Sequence, residues 1–328
     1  MQPKGGPRLL VTDRDGAVYL EHARIHVEDG RVIYHIEDDE HRREFNIPHV
    51  NLAVLFIGQG TSITQDAMRL LAEEGVHVSV TGPGGTPIHY GSLTTYTATR
   101  HFREMLPIYQ SQDLSLVAAK VVMRERVERM RTIGGKLCQR ALKGADPSKI
   151  NQRGKDFIGR LSECKSISEI LGAEGAYTKA CYKLFADLSG LSKKEEFRRD
   201  AGAGGGGPSA GKDLSGRINR FIDHGNYLCY GMAGAALWAL GIPPHMPVFH
   251  GKTRAGGLVF DLADSFKDAF VLPLAFGMLF RSKERDQEKC FREQVITAFQ
   301  DRSVLAEAIG TMDRMLEACR MEAPKTDA

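Results

Sequence analysis

The chain predicts an α+β fold: a small β-rich N-terminal domain over residues 1–95, then a larger all-α domain over residues 96–328. Three observations predict it. Up to about residue 95, short runs of β-branched and aromatic residues alternate with turn signals. After Thr97 the apolar residues recur at the helical period. The charge changes sign at the same place. Residues 1–95 hold 8 Lys and Arg against 13 Asp and Glu, a net of −5, whereas residues 96–328 hold 36 against 28, a net of +8.

In chain order, strands are expected at Leu9–Val11, Ala17–Leu20, Ala23–Val27, Val32–His35 and Leu52–Ile57, with Asp15-Gly16 and Asp29-Gly30 as turns. Gly58-Gln59-Gly60 lacks the third glycine and the downstream acid of a dinucleotide loop. Ser62 and Gln65 form a capping-box pattern, so a helix is expected from Ile63 to Leu71, ended by Gly75. Val76–Val80 then returns as a strand. In the basic part, Leu114 to Met130 reads as a helix carrying Lys120, Arg124, Arg126 and Arg129. Its continuation carries Arg131, Lys136, Arg140 and Lys143. Any one of these fits a solvated, salt-bridged face, but their clustering predicts phosphate contacts, with Lys120, Arg124 and Arg131 as candidates. A helix is expected to open at Glu174-Gly175. Residues 202–211 read as a mobile glycine-rich loop. Arg217 to Leu240 reads as a long helix, and Pro273 as the break in the helix following Asp268. One or two amphipathic helices close the chain over 285–322.

Composition narrows the function classes. Apolar residues make up 42% and charged residues 26%, as in ordinary globular proteins. Six scattered cysteines without a Cys-x-x-Cys pair argue against a zinc module and a disulfide framework, so a reducing cytoplasm is expected. No basic-then-apolar leader opens the chain. The longest apolar run, Tyr227 to Ile242, is short, rich in Gly and Ala, and stopped by Pro243-Pro244, so it reads as a buried helix rather than a membrane span. A basic surface around an acidic pocket suits an enzyme acting on a phosphate polymer with metal help.

The stretch from His245 to Asp268 holds the candidate chemistry. His250 precedes a basic loop, GKTRAGG, with Lys252 and Arg254. A helix follows with Asp261, Asp264 and Asp268 in one stripe. Like charges so placed repel unless a cation sits among them. Capping and the helix dipole account equally well for Asp261 and Asp264, but not for Asp268, one turn further in. A divalent ion with His250 as a further ligand resolves the repulsion. One imidazole with several carboxylates suits Mg²⁺ or Mn²⁺ better than zinc.

Four segments together resemble one family: Glu174-Gly175 with Tyr182; Asn219 with Asn226-Tyr227 and Tyr230-Gly231; His250-Gly251-Lys252-Thr253; and Asp261-x-x-Asp264-x-x-Lys267. Their order and spacing resemble CRISPR-associated protein one, the metal-dependent DNA endonuclease and integrase of spacer acquisition. The stretches NIPHVNLAVLFIGQGTSITQDAMRLLAEEGVHV and FIDHGNYLCYGMAGAALWALGIP look most like subtype I-F. The resemblance implies metal ligands at Glu174, His250 and Asp264, with Asp261 and Lys267 as catalytic neighbours. It implies a homodimer bound to double-stranded DNA and to CRISPR-associated protein two, fused in subtype I-F to protein three. It also implies attack of a 3′-hydroxyl of the incoming fragment on a phosphodiester of the repeat. Lys252 and Lys267 would neutralise phosphate oxygens. The acidic N-terminal domain is expected at the dimer interface, with some of Leu52–Ile57 and Val76–Val80 facing the second subunit. Two other readings use the same residues: a hydrolytic nuclease acting on branched DNA in repair, and a non-catalytic DNA-binding scaffold.

Overall fold

The computed structural model describes residues 14, 16–37, 42–81, 88–90, 99–142, 145–200, 213–251, 256–281, 286–301 and 303–322. The expected strand at Leu9–Val11, the loop at 202–211, Lys143, Lys252 and Arg254 lie outside these residues, as does the expected domain boundary at 95/96.

The N-terminal region holds eight described strands in two sheets. β1 (Gly16–Leu20), β5 (Leu52–Ile57) and β7 (His77–Val80) are parallel neighbours, and β8 (Ile88–Tyr90) adds antiparallel to β7. The second sheet runs β4 (Arg42–Asn46), β3 (Arg31–Glu37), β2 (Ala23–Glu28) and β6 (Ser62–Ile63). Asp29 and Gly30 join β2 to β3 with φ of 49° and 72°, the left-handed pair that a two-residue hairpin requires. β4 escapes the sequence reading because its residues, Arg-Arg-Glu-Phe-Asn, have low strand preference. It pairs along β3 from Ile33↔Asn46 to Glu37↔Arg42, and Phe45 stacks on Tyr34 with ring centroids 5.1 Å apart.

β5 is apolar throughout and buried throughout, as a parallel strand covered on both faces should be. Leu55 and Ile57 enter a core with Ile25, Val32, Leu71 and Val78, while Val54 and Phe56 enter the core of the helices. Its expected contribution to a subunit interface is therefore corrected: β5 is already covered within one chain, and Val76 and Val78 are buried too. Among the described residues of this region, the exposed large apolar ones are Ile36, Phe45 and Val50. A second correction concerns α1 (Gln65–Glu73). Its cap is Thr64, whose hydroxyl accepts from the Ala67 N–H, and Ser62 pairs with β2 instead.

The helical part comprises α2 (Arg100–Gln110), α3 (Gln112–Arg129), α4 (Gly135–Ala141), α5 (Ser148–Glu163), α6 (Ile167–Leu188), α7 (Leu214–Leu240), α8 (Gly257–Asp264), α9 (Lys267–Gly277), α10 (Gln287–Asp301) and α11 (Val304–Glu322). α7 is the central post. Its C-terminal half is buried almost without interruption, and Gly231 lets it approach β5 so closely that a Cβ there would strike the Phe56 ring at 2.1 Å. Among the described residues no helix is long and apolar enough to cross a membrane. Pro273 does not break α9; the interruption falls earlier, at Ser265 and Phe266, between α8 and α9.

Candidate active site

Three elements build the site. The first is the turn Val248–His250 leading into α8. Asp261, fully buried on α8, accepts hydrogen bonds from the backbone N–H groups of Val248 (2.5 Å), Phe249 (3.2 Å) and His250 (3.1 Å). The same carboxylate lies 2.7 Å from His250 Nδ1. A carboxylate at Nδ1 fixes the proton on that nitrogen and leaves Nε2 as the electron-pair donor, the arrangement typical of metal-binding histidines. Gly251 and Gly256 flank the loop with φ of 61° and 70°, conformations that β-carbon residues rarely adopt. Gly257 packs so tightly on Pro247 that a Cβ would approach it to 2.7 Å. Asp261 therefore holds and orients the histidine.

The second element is Asp264. It is 1% exposed, and its Oδ2 has no hydrogen-bond partner among the described residues. Two groups face its oxygens: His250 Nε2, 3.6 Å from Oδ2, and the Lys267 ammonium, which pairs with Oδ1. Burial pushes the Asp264 pKa up, but Lys267, Arg126 and His250 outweigh it and hold the group below the usual carboxylate range. Burial depresses His250, yet Asp261 and Asp264 prevail and raise it. Lys267 is raised strongly, with Asp264 outweighing burial.

The third element is Glu174. It does not open a helix, as the sequence suggested, but sits two turns inside α6, which begins where the Ser166 hydroxyl accepts from the Glu169 N–H and the Glu169 carboxylate accepts from the Lys165 N–H. Its Oε1 accepts from Arg126 Nη1 (2.6 Å) and from the Thr178 hydroxyl (2.8 Å); both bonds use one oxygen. Arg126 is 1% exposed and also donates to Asp268 Oδ2 (2.8 Å) and Thr178 (2.7 Å), with its guanidinium 5.5 Å from the Tyr177 ring centroid. Glu174 is pushed up by burial and pulled further down by Arg126, while the charge of Asp264 opposes its ionisation. Glu174 and Asp264 therefore lie within electrostatic reach of each other.

The expected uncompensated acidic stripe is thus corrected. The acids take different partners, Asp261 with His250 and Asp264 with Lys267, while the break at Ser265–Phe266 sets Asp268 apart on α9 with Arg126. Four carboxylates (Glu174, Asp261, Asp264, Asp268) face two permanent cations (Arg126, Lys267), leaving two negative charges when His250 is neutral. Among the described residues no three His, Cys, Asp or Glu side chains close into a metal-ligand set; His250 and Asp264 meet, and Glu174 is drawn to Arg126. Asp264 Oδ2 facing His250 Nε2 at 3.6 Å, with no hydrogen bond made, and the residual charge fit a hard divalent ion.

The basic helix divides in the same way. Lys120 is half-buried, Arg124 is exposed, and exposed Arg131 pairs with Glu128 at 2.6 Å. Arg126 and Arg129, grouped with them in the sequence, are buried: Arg129 pairs with Glu125 and Glu307. Their burial was signalled by register, since Val122, Met123, Arg126 and Met130 recur on one apolar face.

The family model described as CRISPR associated protein Cas1 matches residues 11–299. The chain belongs to this family. It is 35% identical over 317 residues to the CRISPR-associated endonuclease Cas1 of Pectobacterium atrosepticum, covering 93% of each chain. It is 36% identical over 298 residues to that of Pseudomonas aeruginosa, covering 87% of each. Among solved structures, its fold matches Cas1 in the crystal structure of a TtCas1–DNA complex with a TM-score of 0.66 at 25% identity, over 92% of this chain and 91% of that one. A casposase bound to integration product shares the fold at a TM-score of 0.64 and 17% identity, over 87% of this chain and 82% of that one. The small β region followed by a mostly helical part is the Cas1 architecture.

Proposed function

We propose that this Cas1 chain is a metal-dependent DNA endonuclease and integrase of spacer acquisition, of the subtype I-F kind. It would join 3′-hydroxyl ends of DNA fragments into the CRISPR repeat by transesterification. The observation that carries the reading is the Asp261–His250–Asp264 relay: a carboxylate fixing Nδ1, and Nε2 aimed 3.6 Å from the unsatisfied Asp264 oxygen. His250 Nε2, Asp264 and the Oε2 of Glu174 would hold Mg²⁺ or Mn²⁺. Bound there, the ion would lower the pKa of the attacking hydroxyl and offset charge on the pentacovalent phosphorus. Lys267, anchored on Asp264, supplies positive charge beside the reacting phosphate. In the reaction a 3′-oxygen forms a bond to phosphorus, the bond from phosphorus to the leaving 3′-oxygen breaks, and that oxygen takes up a proton. Water in place of the 3′-hydroxyl gives hydrolysis from the same site.

The proposed assembly is a homodimer on double-stranded DNA with CRISPR-associated protein two, fused in this subtype to protein three. The test uses a labelled duplex with free 3′-hydroxyls and a plasmid carrying the repeat. Joined product is expected with Mg²⁺ or Mn²⁺ and not from His250→Ala or Asp264→Ala. Cleavage without joining would favour the hydrolytic repair nuclease, and wild-type joining by His250→Ala would overturn the site assignment.

A further inference from the structure

A groove opens beside the His250 turn. Tyr109, Gln110 and Gln112 line it from the corner between α2 and α3, Ile167 from the start of α6, and His245 and Val248 from the turn itself. It holds about 680 Å³, within the range of clefts that take whole small molecules. The groove and the catalytic residues share one face of α6. Ile167 and Glu174 are seven residues apart, close to two helical turns, so they point the same way at a separation of about 10 Å along the axis. Leu171, 36% exposed, lies on the same stripe between them. On the other side, Val248 stands two residues before His250.

The lining favours a base over a phosphate. Among its described residues there is no Asp, Glu, Lys or Arg. A phosphate backbone is held chiefly by cations, whereas these residues offer uncharged amides and a ring. Tyr109 is 52% exposed, and no ring or cation lies against it among the described residues. The Gln110 and Gln112 amides likewise make no hydrogen bond among the described residues. Each amide can donate to and accept from the edge of a base. In a duplex those edges are already paired and the ring faces already stacked. An unpaired base presents both an edge to an amide and a face to a tyrosine.

We propose that this groove seats an unpaired base of the DNA strand that reacts at His250 and Asp264, stacked on the Tyr109 ring. The inference rests on the proposed function, which puts the reacting phosphate beside His250, Asp264 and Glu174. Phosphates follow one another along a stacked strand about every 3.4 Å. The stretch of α6 from Glu174 to Ile167 therefore spans about three nucleotides. A base held on Tyr109 fixes the register of the strand, and with it which phosphodiester or 3′-hydroxyl reaches the reacting position. Tyr109 is thus a positioning residue.

The experiment uses the full chain without divalent ions, so that no strand is cut. Fluorescence anisotropy measures its affinity for a labelled duplex with an unpaired 3′ tail long enough to cover that span, about four nucleotides. The second probe is the same duplex with every tail position abasic. The two probes carry the same phosphates, so only the bases differ. The wild-type chain should bind the intact tail about fivefold more tightly or better, the low end of what one base stacked on an aromatic side chain contributes. Tyr109→Ala should abolish that preference while leaving the abasic affinity and the salt slope unchanged, and Tyr109→Trp should keep it. Gln110→Ala combined with Gln112→Ala should reduce it. All three positions are exposed, and thermal melting by circular dichroism checks that each variant is folded. Equal binding of the two probes by the wild type, or a preference that survives Tyr109→Ala, overturns the proposal. Neither probe requires strand joining, so a wild-type chain that shows the preference and joins nothing would count against the proposed function alone.

Discussion

Replacing Arg126 by Met separates two roles that a basic helix can play. The structure buries its guanidinium at 1% exposure between Asp268, itself 4% exposed, and Glu174. Methionine fills much of the volume but leaves both carboxylates without their counter-ion. Removing one partner of a buried ion pair costs about 3–5 kcal/mol, because the remaining charge has neither water nor a partner. The loss should appear in full in urea unfolding followed by far-ultraviolet circular dichroism. Asp268→Leu in the Arg126→Met background removes the stranded carboxylate and should recover at least about 1 kcal/mol, since an apolar replacement of a buried pair is often neutral or better. DNA affinity supplies the contrast. A phosphate contact at Arg126 would lower the log–log salt slope by about 0.9 on its loss. A stability loss under about 1 kcal/mol together with a flatter salt slope would refute the counter-ion role and return Arg126 to the DNA surface.

The remaining outcomes follow from the same geometry. Arg124→Gln, at an exposed position of α3, should lower the salt slope of DNA binding by about 0.9, and Arg131→Gln by less because Glu128 already holds it; a double variant with unchanged slope would move the DNA path elsewhere. His250 is raised above its ordinary 6.5 in the metal-free protein, with Asp261 and Asp264 outweighing burial, so Mn²⁺ must displace a proton as pH falls. Mn²⁺ affinity by calorimetry should drop about tenfold per unit below that raised pKa, and an affinity flat from pH 8 to pH 6 would remove His250 from the ligand set. The sign for stability is opposite: without metal, the raised His250 contributes fully below about 6.5 and loses that contribution as pH rises through its folded value. If the proposed homodimer uses this face, Phe45→Glu on the outer strand of the second sheet should raise its dissociation constant at least tenfold in sedimentation, because Phe45, Ile36 and Val50 are the large apolar residues exposed among the described residues of this region; an unchanged constant would move the interface off this face.

What the sequence discloses and what it hides divide along the range of the interactions. Leu52–Ile57 is recognisable because its apolar run needs no partner to be read, and the observed strand has the same ends. The α7 helix is legible from its small residues, and Gly231 against Phe56 gives the reason for them. β4 is hidden because its pairing energy comes from β3 and from the Tyr34 ring rather than from its own residues. At the site, His250 and Asp264 are legible from spacing and Lys267 through the family resemblance, and the structure brings these three together. Glu174 is legible only through the family resemblance, since its place two turns into α6 is set by the cap at Ser166. Arg126 was grouped with the wrong neighbours. Charge density assigns it to solvent with Arg124, whereas register assigns it to the core with Val122 and Met123, and register wins because α6 and α9 bring Glu174 and Asp268 to meet it. The acids that seemed to need a metal are thus half neutralised from within. What still points to a divalent ion is narrower than the stripe: two negative charges left over when His250 is neutral, and Asp264 Oδ2, which faces only His250 Nε2 at 3.6 Å.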